Sequence, residues 1–418
     1  MSKRPLLVIF ITVFVDLLGF GIVLPLLSVY ADKLQATAEE VGLLSASFSA
    51  MQFLFAPVWG RISDRVGRRP IIILGLLGSV IFYAVFGYAS AIGSLTLMFV
   101  ARIGAGLSGA TISTAQAYIA DSTTPDKRTA GMAIIGAAFA IGMTFGPLIG
   151  GVALLYSHPS EGNLSAAPGY LASGISAIAL LLAIFILPES LKEGERAKSS
   201  GWMNLTNLKL ALANSITPAL LLTAFVAVFS FAKFESTLSL LAEKGFGYTN
   251  REIYLTFTYI GVVLTLAQGF LVRRLAKKMP EKKMAILGVV GMVIGMFSLL
   301  YAISSQSTSH LLIALPILVI GFALVSSSVQ GWLSRTARAD QQGGILGINQ
   351  ALAALARILG FYLGVSLLLG TKMFGSLATE PNLSRPYWIS LVLMGIAFLL
   401  ILLLPSPPKT DGEVQLTH

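Results

Sequence analysis

Cysteine is absent from the chain, which excludes disulfides, thiolate metal sites and thiol nucleophiles. Histidine is close to absent. His158, His310 and His418 stand far apart, in expected loops, at a helix end or at the terminus, so no metal site is expected from them. Charge is scarce as well: Asp, Glu, Lys and Arg make up 11% of the 418 residues. What remains is apolar, 55% hydrophobic with a mean hydropathy of +0.81. Uncharged runs of about 20 residues recur, a length that crosses a bilayer as a helix. Length alone would suit two or three soluble domains. Composition makes this an integral membrane protein instead.

Further absences narrow the chemistry. No G-x-x-x-x-G-K-[ST] loop occurs, so nothing indicates ATP-driven work. Gly104 to Gly109 spells G-x-G-x-x-G, but it lies inside an apolar span and follows no soluble strand, so the dinucleotide reading is rejected. No nucleophile–base pair stands out, and neither an enzyme nor a cofactor is expected. Lys3 and Arg4 resemble the basic start of a leader, yet the apolar run continues past Tyr30, carries Asp16 and lacks a cleavage site. It is expected to remain as the first span. The net charge of +10 does not imply nucleic acid, because the basic residues are divided among many short loops.

The hydropathy pattern predicts an all-α chain with twelve spans, at 6–30, 40–60, 70–90, 93–117, 129–156, 168–187, 216–242, 250–272, 284–303, 309–333, 343–370 and 386–404. With the N-terminus in the cytoplasm, 21 Lys and Arg fall in cytoplasmic segments and five in external ones, a bias that puts both termini inside. A bacterial inner membrane is the default expectation. The longest connection divides the chain into a six-helix bundle over 1–187 and another over 216–405, followed by a tail over 406–418. Within the linker, 188–215, Trp202, Leu205, Leu208 and Leu212 fall at helical spacing, predicting an amphipathic helix on the inner membrane surface. Sliding the chain by 213 or 214 residues gives a faint echo: Gly75 meets Gly288, and Gly146 and Gly150 meet Gly360 and Gly364. Six helices is an even number, so the halves form a parallel repeat, the architecture of transporters that rock about a midplane site.

One stretch breaks the scarcity of charge. "WGRISDRVGRRP", residues 59–70, holds Arg61, Asp64, Arg65, Arg68 and Arg69 within nine residues. Positive charge in a short loop serves topology, but topology explains neither Gly60, Asp64 nor Gly67. Gly67 suits a tight turn, and Gly60 close approach by another helix. Gly60, Asp64, Arg65, Gly67, Arg68 and Arg69 resemble the G-x-x-x-D-R-x-G-R-[RK] loop between helices 2 and 3 of the major facilitator superfamily. Arg102 with "IGAGLSGA" resembles the family's helix 4 motif, and Asp121 to Arg128 its loop between helices 4 and 5. "GMTFGPLIGG", with Gly142, Gly146, Pro147, Gly150 and Gly151, is similar to the helix 5 motif of its drug–proton antiporters, and "LPES" at 187–190 closes the first half as often seen. The nearest resemblance within the family is to tetracycline-resistance-type efflux proteins and their multidrug relatives. It implies two parallel-repeat six-helix bundles and a cytoplasmic latch in which Asp64, the arginines and Asp121 separate as the halves rock. The second half departs from the pattern, with Lys277 for Asp64, Pro280 for Gly67 and Arg335 for Asp121, so the latch acids are expected mainly from the first half.

A charge at mid-bilayer costs about 3 kcal/mol on insertion scales, so each one is a candidate for function. Asp16 lies about 10 residues into span 1, followed by Gly19, Gly21 and Pro25. A carboxyl there is chemically suited to carrying a proton, and efflux relatives carry an acid at the corresponding place. Arg102 serves either as a lock on neighbouring helices or as control over a nearby acid. Glu235 and Lys233 sit two apart and point to nearly opposite faces, with Glu235 expected in the cavity and Lys233 expected to snorkel. Arg357 is placed to meet substrate or to brace Asp16 or Glu235. Gln52, Gln116, Gln268, Gln330 and Asn349 are polar groups that line a cavity or join helices. The 24 phenylalanines are assigned to lipid and helix packing. Tetracycline-type pumps carry acids where this chain has Phe82 and near Met292, and a histidine near Leu264, so tetracycline itself is not the expected cargo.

The expected function is secondary transport: a monomeric, proton-coupled antiporter exporting small amphipathic compounds, its partners being cargo, protons and the bilayer. The alternatives are proton-coupled uptake of a metabolite or sugar, and a receptor or scaffold that transports nothing.

Overall fold

The structure, a computed structural model, describes residues 3–122, 128–155, 164–191, 216–336, 342–371 and 380–405. Within them, the side chains of residues 3–8, 16, 120, 128–137, 139, 140, 342–344 and 346 lie outside the description. So do most of the expected linker and the tail. The described residues form helices and no strands. These are α1 (Lys3–Lys33), α2 (Ala38–Val66), α3 (Arg68–Ile92), α4 (Leu95–Gly109, resuming as Ile112–Ser122), α5 (Arg128–Leu155), α6 (Ala167–Ile186), α7 (Ile216–Leu240), α8 (Asn250–Leu266), α9 (Glu281–Ser305), α10 (Thr308–Thr336), α11 (Gln342–Leu369) and α12 (Arg385–Leu403). Eleven are long and apolar enough to cross a membrane, and α5 contributes a shorter apolar stretch, Ile141–Leu155. Two have π-helical continuations: Leu241–Gly245 ends α7, and Ala267–Val272 carries α8 on to Arg273–Ala276.

The repeat is written in local chemistry. α2 begins with a capping box, in which Thr37 Oγ1 accepts from the Glu40 N–H and Glu40 Oε2 accepts from the Thr37 N–H at 2.8 Å. α8 begins with the same device, Thr249 and Glu252, again at 2.8 Å. Each box satisfies N–H groups that the first helical turn leaves unpaired. At the other end of α2, Gly67 adopts φ +110°, and the chain turns directly into α3.

Helices in lipid gain little from apolar burial against one another, so close backbone approach and hydrogen bonds hold them. Within the first half α5 lies on α1: a Cβ at Gly146 would come within 2.8 Å of Gly21. Its counterpart in the second half is α11 on α7, where a Cβ at Gly360 would come within 2.8 Å of Ala232. Two further seams join the halves. A Cβ at Gly261 of α8 would sit 2.5 Å from Thr144 Cα of α5, and one at Gly42 of α2 would sit 2.8 Å from the Tyr362 carbonyl of α11. The α5–α8 and α2–α11 seams exchange places under the repeat.

Most polar bonds between the halves gather on one face, away from the 61–69 loop, while the Thr144 and Thr265 hydroxyls meet at 2.8 Å midway along the α5–α8 seam. Asp32 pairs with Lys244 at 2.7 Å and Lys33 with Glu243 at 3.5 Å. Thr371 Oγ1 donates to Glu39 at 2.6 Å, Tyr254 Oη to the Ile22 carbonyl at 2.7 Å, and Ser28 Oγ to the Ser236 carbonyl at 3.3 Å. On the opposite, basic face, the bonds of Arg68, Arg69, Arg335 and Lys282 each stay within one half. The molecule is closed on the Asp32 face.

Candidate functional site

A cavity of about 300 Å³ opens in the second half, at its border with the first. Its walls come from α7, α8, α10 and α11, with Met143 of α5 from the first half. Helical spacing explains the lining: Ala224, Val228, Phe231, Glu235 and Leu238 recur every three or four residues along α7, as do Phe257, Gly261, Leu264 and Gln268 along α8. The floor is aromatic. Phe231 and Phe322 stack with centroids 3.9 Å apart and planes 7° from parallel, flanked by Phe234 and Phe257.

Glu235 and Arg357 both line this cavity and their charges interact, without a salt bridge between them among the described residues. Gln268, Gln330, Asn349 and Gln350 add amide groups, and Asn349 Oδ1 is buried with no hydrogen-bond partner. Such a surface offers an apolar shelf, one carboxyl, one guanidinium and several neutral donors and acceptors. Gln52 takes another role: its Nε2 donates to the Gly109 carbonyl at 3.2 Å, joining α2 to α4. Gln116 is exposed and does not line the cavity.

Arg102 lies apart from the cavity at 1% exposure. Its guanidinium carbon sits 4.8 Å from the Phe48 ring and 5.6 Å from that of Phe20, and its nitrogens have no hydrogen-bond partner among the described residues. Two glycines of the G-x-G-x-x-G run make room around it. A Cβ at Gly104 would lie 2.2 Å from the Phe82 ring, and one at Gly106 2.4 Å from the Phe48 carbonyl. Lys233 does not snorkel. It is fully buried, away from the cavity, its Nζ 4.7 Å from the Phe229 ring. On α7 it follows Phe229 by one turn, and that register holds the ammonium inside the protein. Position 16 is on α1, but the Asp16 side chain lies outside the described residues, as does that of Arg128.

The 61–69 loop forms a compact ionic cluster. Arg68 donates from Nη1 to Asp64 and to Ser63 Oγ, and from Nε to Asp121 at 3.0 Å. Arg69 Nη2 reaches the Ile184 carbonyl at 2.6 Å. Glu189 is the member that sequence reading missed. Its carboxylate accepts the N–H groups of Arg68, Arg69, Ser190 and Leu191, capping the start of α3. Partial burial acts to raise the Glu189 pKa, but the four N–H donors outweigh it and hold the carboxyl below its ordinary value. The only hint in the sequence was "LPES". In the second half Arg335 pairs with Glu281 at 2.9 Å instead. The helix 5 glycines divide their work: Gly142 and Gly146 face α1, while Gly150 and Gly151 face Tyr254 of α8, across the seam between halves.

Comparison with known proteins follows the same lines. The family model of the Major Facilitator Superfamily matches residues 9–361. The class C tetracycline resistance protein of Escherichia coli is 31% identical over 367 residues, covering 86% of this chain and 88% of that protein. Multidrug resistance protein 2 of Bacillus subtilis is 30% identical over 368 residues, covering 87% of this chain and 88% of its own length. The crystal structure of the human organic anion transporter MFSD10 superposes with a TM-score of 0.67 at 24% identity, over 96% of this chain and 99% of that one, and so shares the fold.

Proposed function

The chain belongs to the Major Facilitator Superfamily of membrane transporters, and from that premise we propose that it exports small amphipathic compounds in exchange for protons. The observation that carries the reading is the cavity, where an aromatic shelf, a carboxyl and a guanidinium share about 300 Å³ at the border of two halves joined by ion pairs on the Asp32 face. The apolar body of a cargo lies on Phe231 and Phe322. Its polar groups meet Glu235, Arg357 and the amides.

Coupling follows from charge. Ionised Glu235 offsets Arg357; protonation leaves the guanidinium unbalanced and changes what the cavity accepts. Asp16, an acid at the corresponding place in the relatives, is the leading proton carrier, and Arg102 holds a positive charge in the same half. The bundles 1–187 and 216–405, joined by 188–215, rock as bodies about the cavity. The excess of Lys and Arg on the 61–69 face supports a cytoplasmic placement of that face and both termini in a bacterial cell, with the cavity opening inward. Opening outward breaks the Asp32–Lys244 and Lys33–Glu243 pairs and brings the second half against the Asp64 and Arg68 cluster. A single copy of the chain contains every part of this cycle.

The test is proton movement in acid-loaded proteoliposomes as amphipathic compounds from a broad panel are added. Proton release that depends on compound, and is lost in Asp16→Asn or Glu235→Gln, supports antiport and places its proton site. Proton uptake together with the compound would turn the reading to symport. Compounds that bind yet move no protons would refute coupling.

A further inference from the structure

The two halves treat their basic loops differently. In the first, Arg68 is consumed by Asp64 and Asp121, and Arg69 by a backbone carbonyl. In the second, the acids are replaced. Lys277 stands where Asp64 would repeat, and the nearby acid, Glu281, is already engaged by Arg335. Lys282 is also occupied, donating to the Leu402 and Leu404 carbonyls at the end of α12. That leaves Arg273, Arg274, Lys277, Lys278 and Lys283. All five are exposed, and none of their side chains has a hydrogen-bonding or ion-pair partner among the described residues. Five positive charges within eleven residues repel one another, and no acid among the described residues pairs with them.

Their position says what they meet instead. Leu255, Val262, Leu266 and Phe270 form an exposed stripe along α8, opposite the cavity-lining face. Phe270 is 74% exposed, and Arg273 and Arg274 follow it by three and four residues, at the end of the membrane-crossing stretch. An apolar face that meets lipid tails therefore ends in cations at headgroup depth, where long basic side chains reach phosphate. We infer that the cationic end of α8, with Lys283 at the start of α9, is a binding site for anionic phospholipid headgroups. The site sits on a helix whose other face lines the cavity, so bound lipid also steadies one wall of the transport path.

The experiment uses the full chain purified from mixed micelles containing equal amounts of phosphatidylglycerol and phosphatidylcholine, with retained lipid measured by mass spectrometry. The wild type should retain phosphatidylglycerol preferentially. Each charge removed should reduce that preference about fivefold, the equivalent of about 1 kcal/mol per basic residue near an anionic surface. Lys277→Gln with Lys278→Gln is the first variant, chosen because it leaves most of the topological charge in place. Arg251→Gln, on the opposite face, should retain lipid like the wild type. With no substitution at all, raising salt to about 0.5 M should erase the preference, because screening then acts within a few ångströms. Equal retention by wild type and the double variant would overturn the proposal. So would a preference indifferent to salt, or displacement of the lipid by inorganic phosphate at an ionic strength where chloride leaves it bound, which would make the site one for a free anion.

Discussion

The crossed ion pairs on the Asp32 face give the sharpest test of alternating access. Asp32–Lys33 at the end of α1 and Glu243–Lys244 in the π-helical end of α7 are acid–base dyads from corresponding places in the two halves, and each pairs with the other. The lysine side chains are 45% and 40% exposed, so water and salt screen both bonds, and each contributes about 0–1 kcal/mol. Asp32→Lys removes the 2.7 Å pair and sets two ammonium groups against each other. Loss and repulsion together amount to about 1–2 kcal/mol, or about 5–30-fold in the ratio of closed to open molecules. The absence of cysteine makes the readout clean. Ser28 is 3% exposed and hydrogen-bonded to Ser45 and to the Ser236 carbonyl across the seam, so Ser28→Cys reports outward opening by its rate of alkylation with a membrane-impermeant maleimide. Asp32→Lys should speed labelling about 5–30-fold, and adding Lys244→Asp should slow it again by restoring the pair with opposite sense. An unchanged rate in the single reversal, or no slowing in the double one, would refute the claim that these pairs hold the outer side shut.

Two further predictions concern stability. Glu189 has a lowered folded-state pKa, so the stability it contributes is complete above its ordinary value of 4.5 and is lost as pH falls below that through the folded value. Thermal unfolding in detergent should therefore show an acid-side loss of stability that is smaller in Glu189→Gln, whose midpoint is also lower at neutral pH; parallel curves would sink the capping role. Gly261→Ala places a methyl 2.5 Å from Thr144 Cα, overpacking the α5–α8 seam by about 1–3 kcal/mol, whereas Gly395→Ala, with nothing within 4 Å, should leave the melting midpoint alone.

How far the sequence could be read depended on whether a feature is local. The spans were legible because a bilayer imposes one length and one polarity on each helix, and the predicted span at 284–303 falls inside α9, Glu281–Ser305. The loop chemistry around Asp64 and Arg68 was legible because the two residues sit four apart, across the turn at Gly67. Glu189 was not, since the α3 N–H groups it caps, those of Arg68 and Arg69, lie about 120 residues earlier. Cavity-facing phenylalanines were equally hidden. Phe231 and Phe322 are separated by 91 positions, and nothing local distinguishes them from the phenylalanines that meet lipid. Gln52 and Gln268 look alike in sequence, yet one bridges two helices and the other faces the cavity.

The sequence by itself determined the solvent of this protein, its apolar helices and the matching capping boxes of α2 and α8, because hydropathy and caps act over a few residues. Tertiary structure decided which polar groups converge. Glu235 and Arg357 meet only because close packing of α11 on α7, through Gly360 and Gly364, sets the rotation of each helix, and Lys233, two residues from Glu235, is turned by the same rotation into the protein interior.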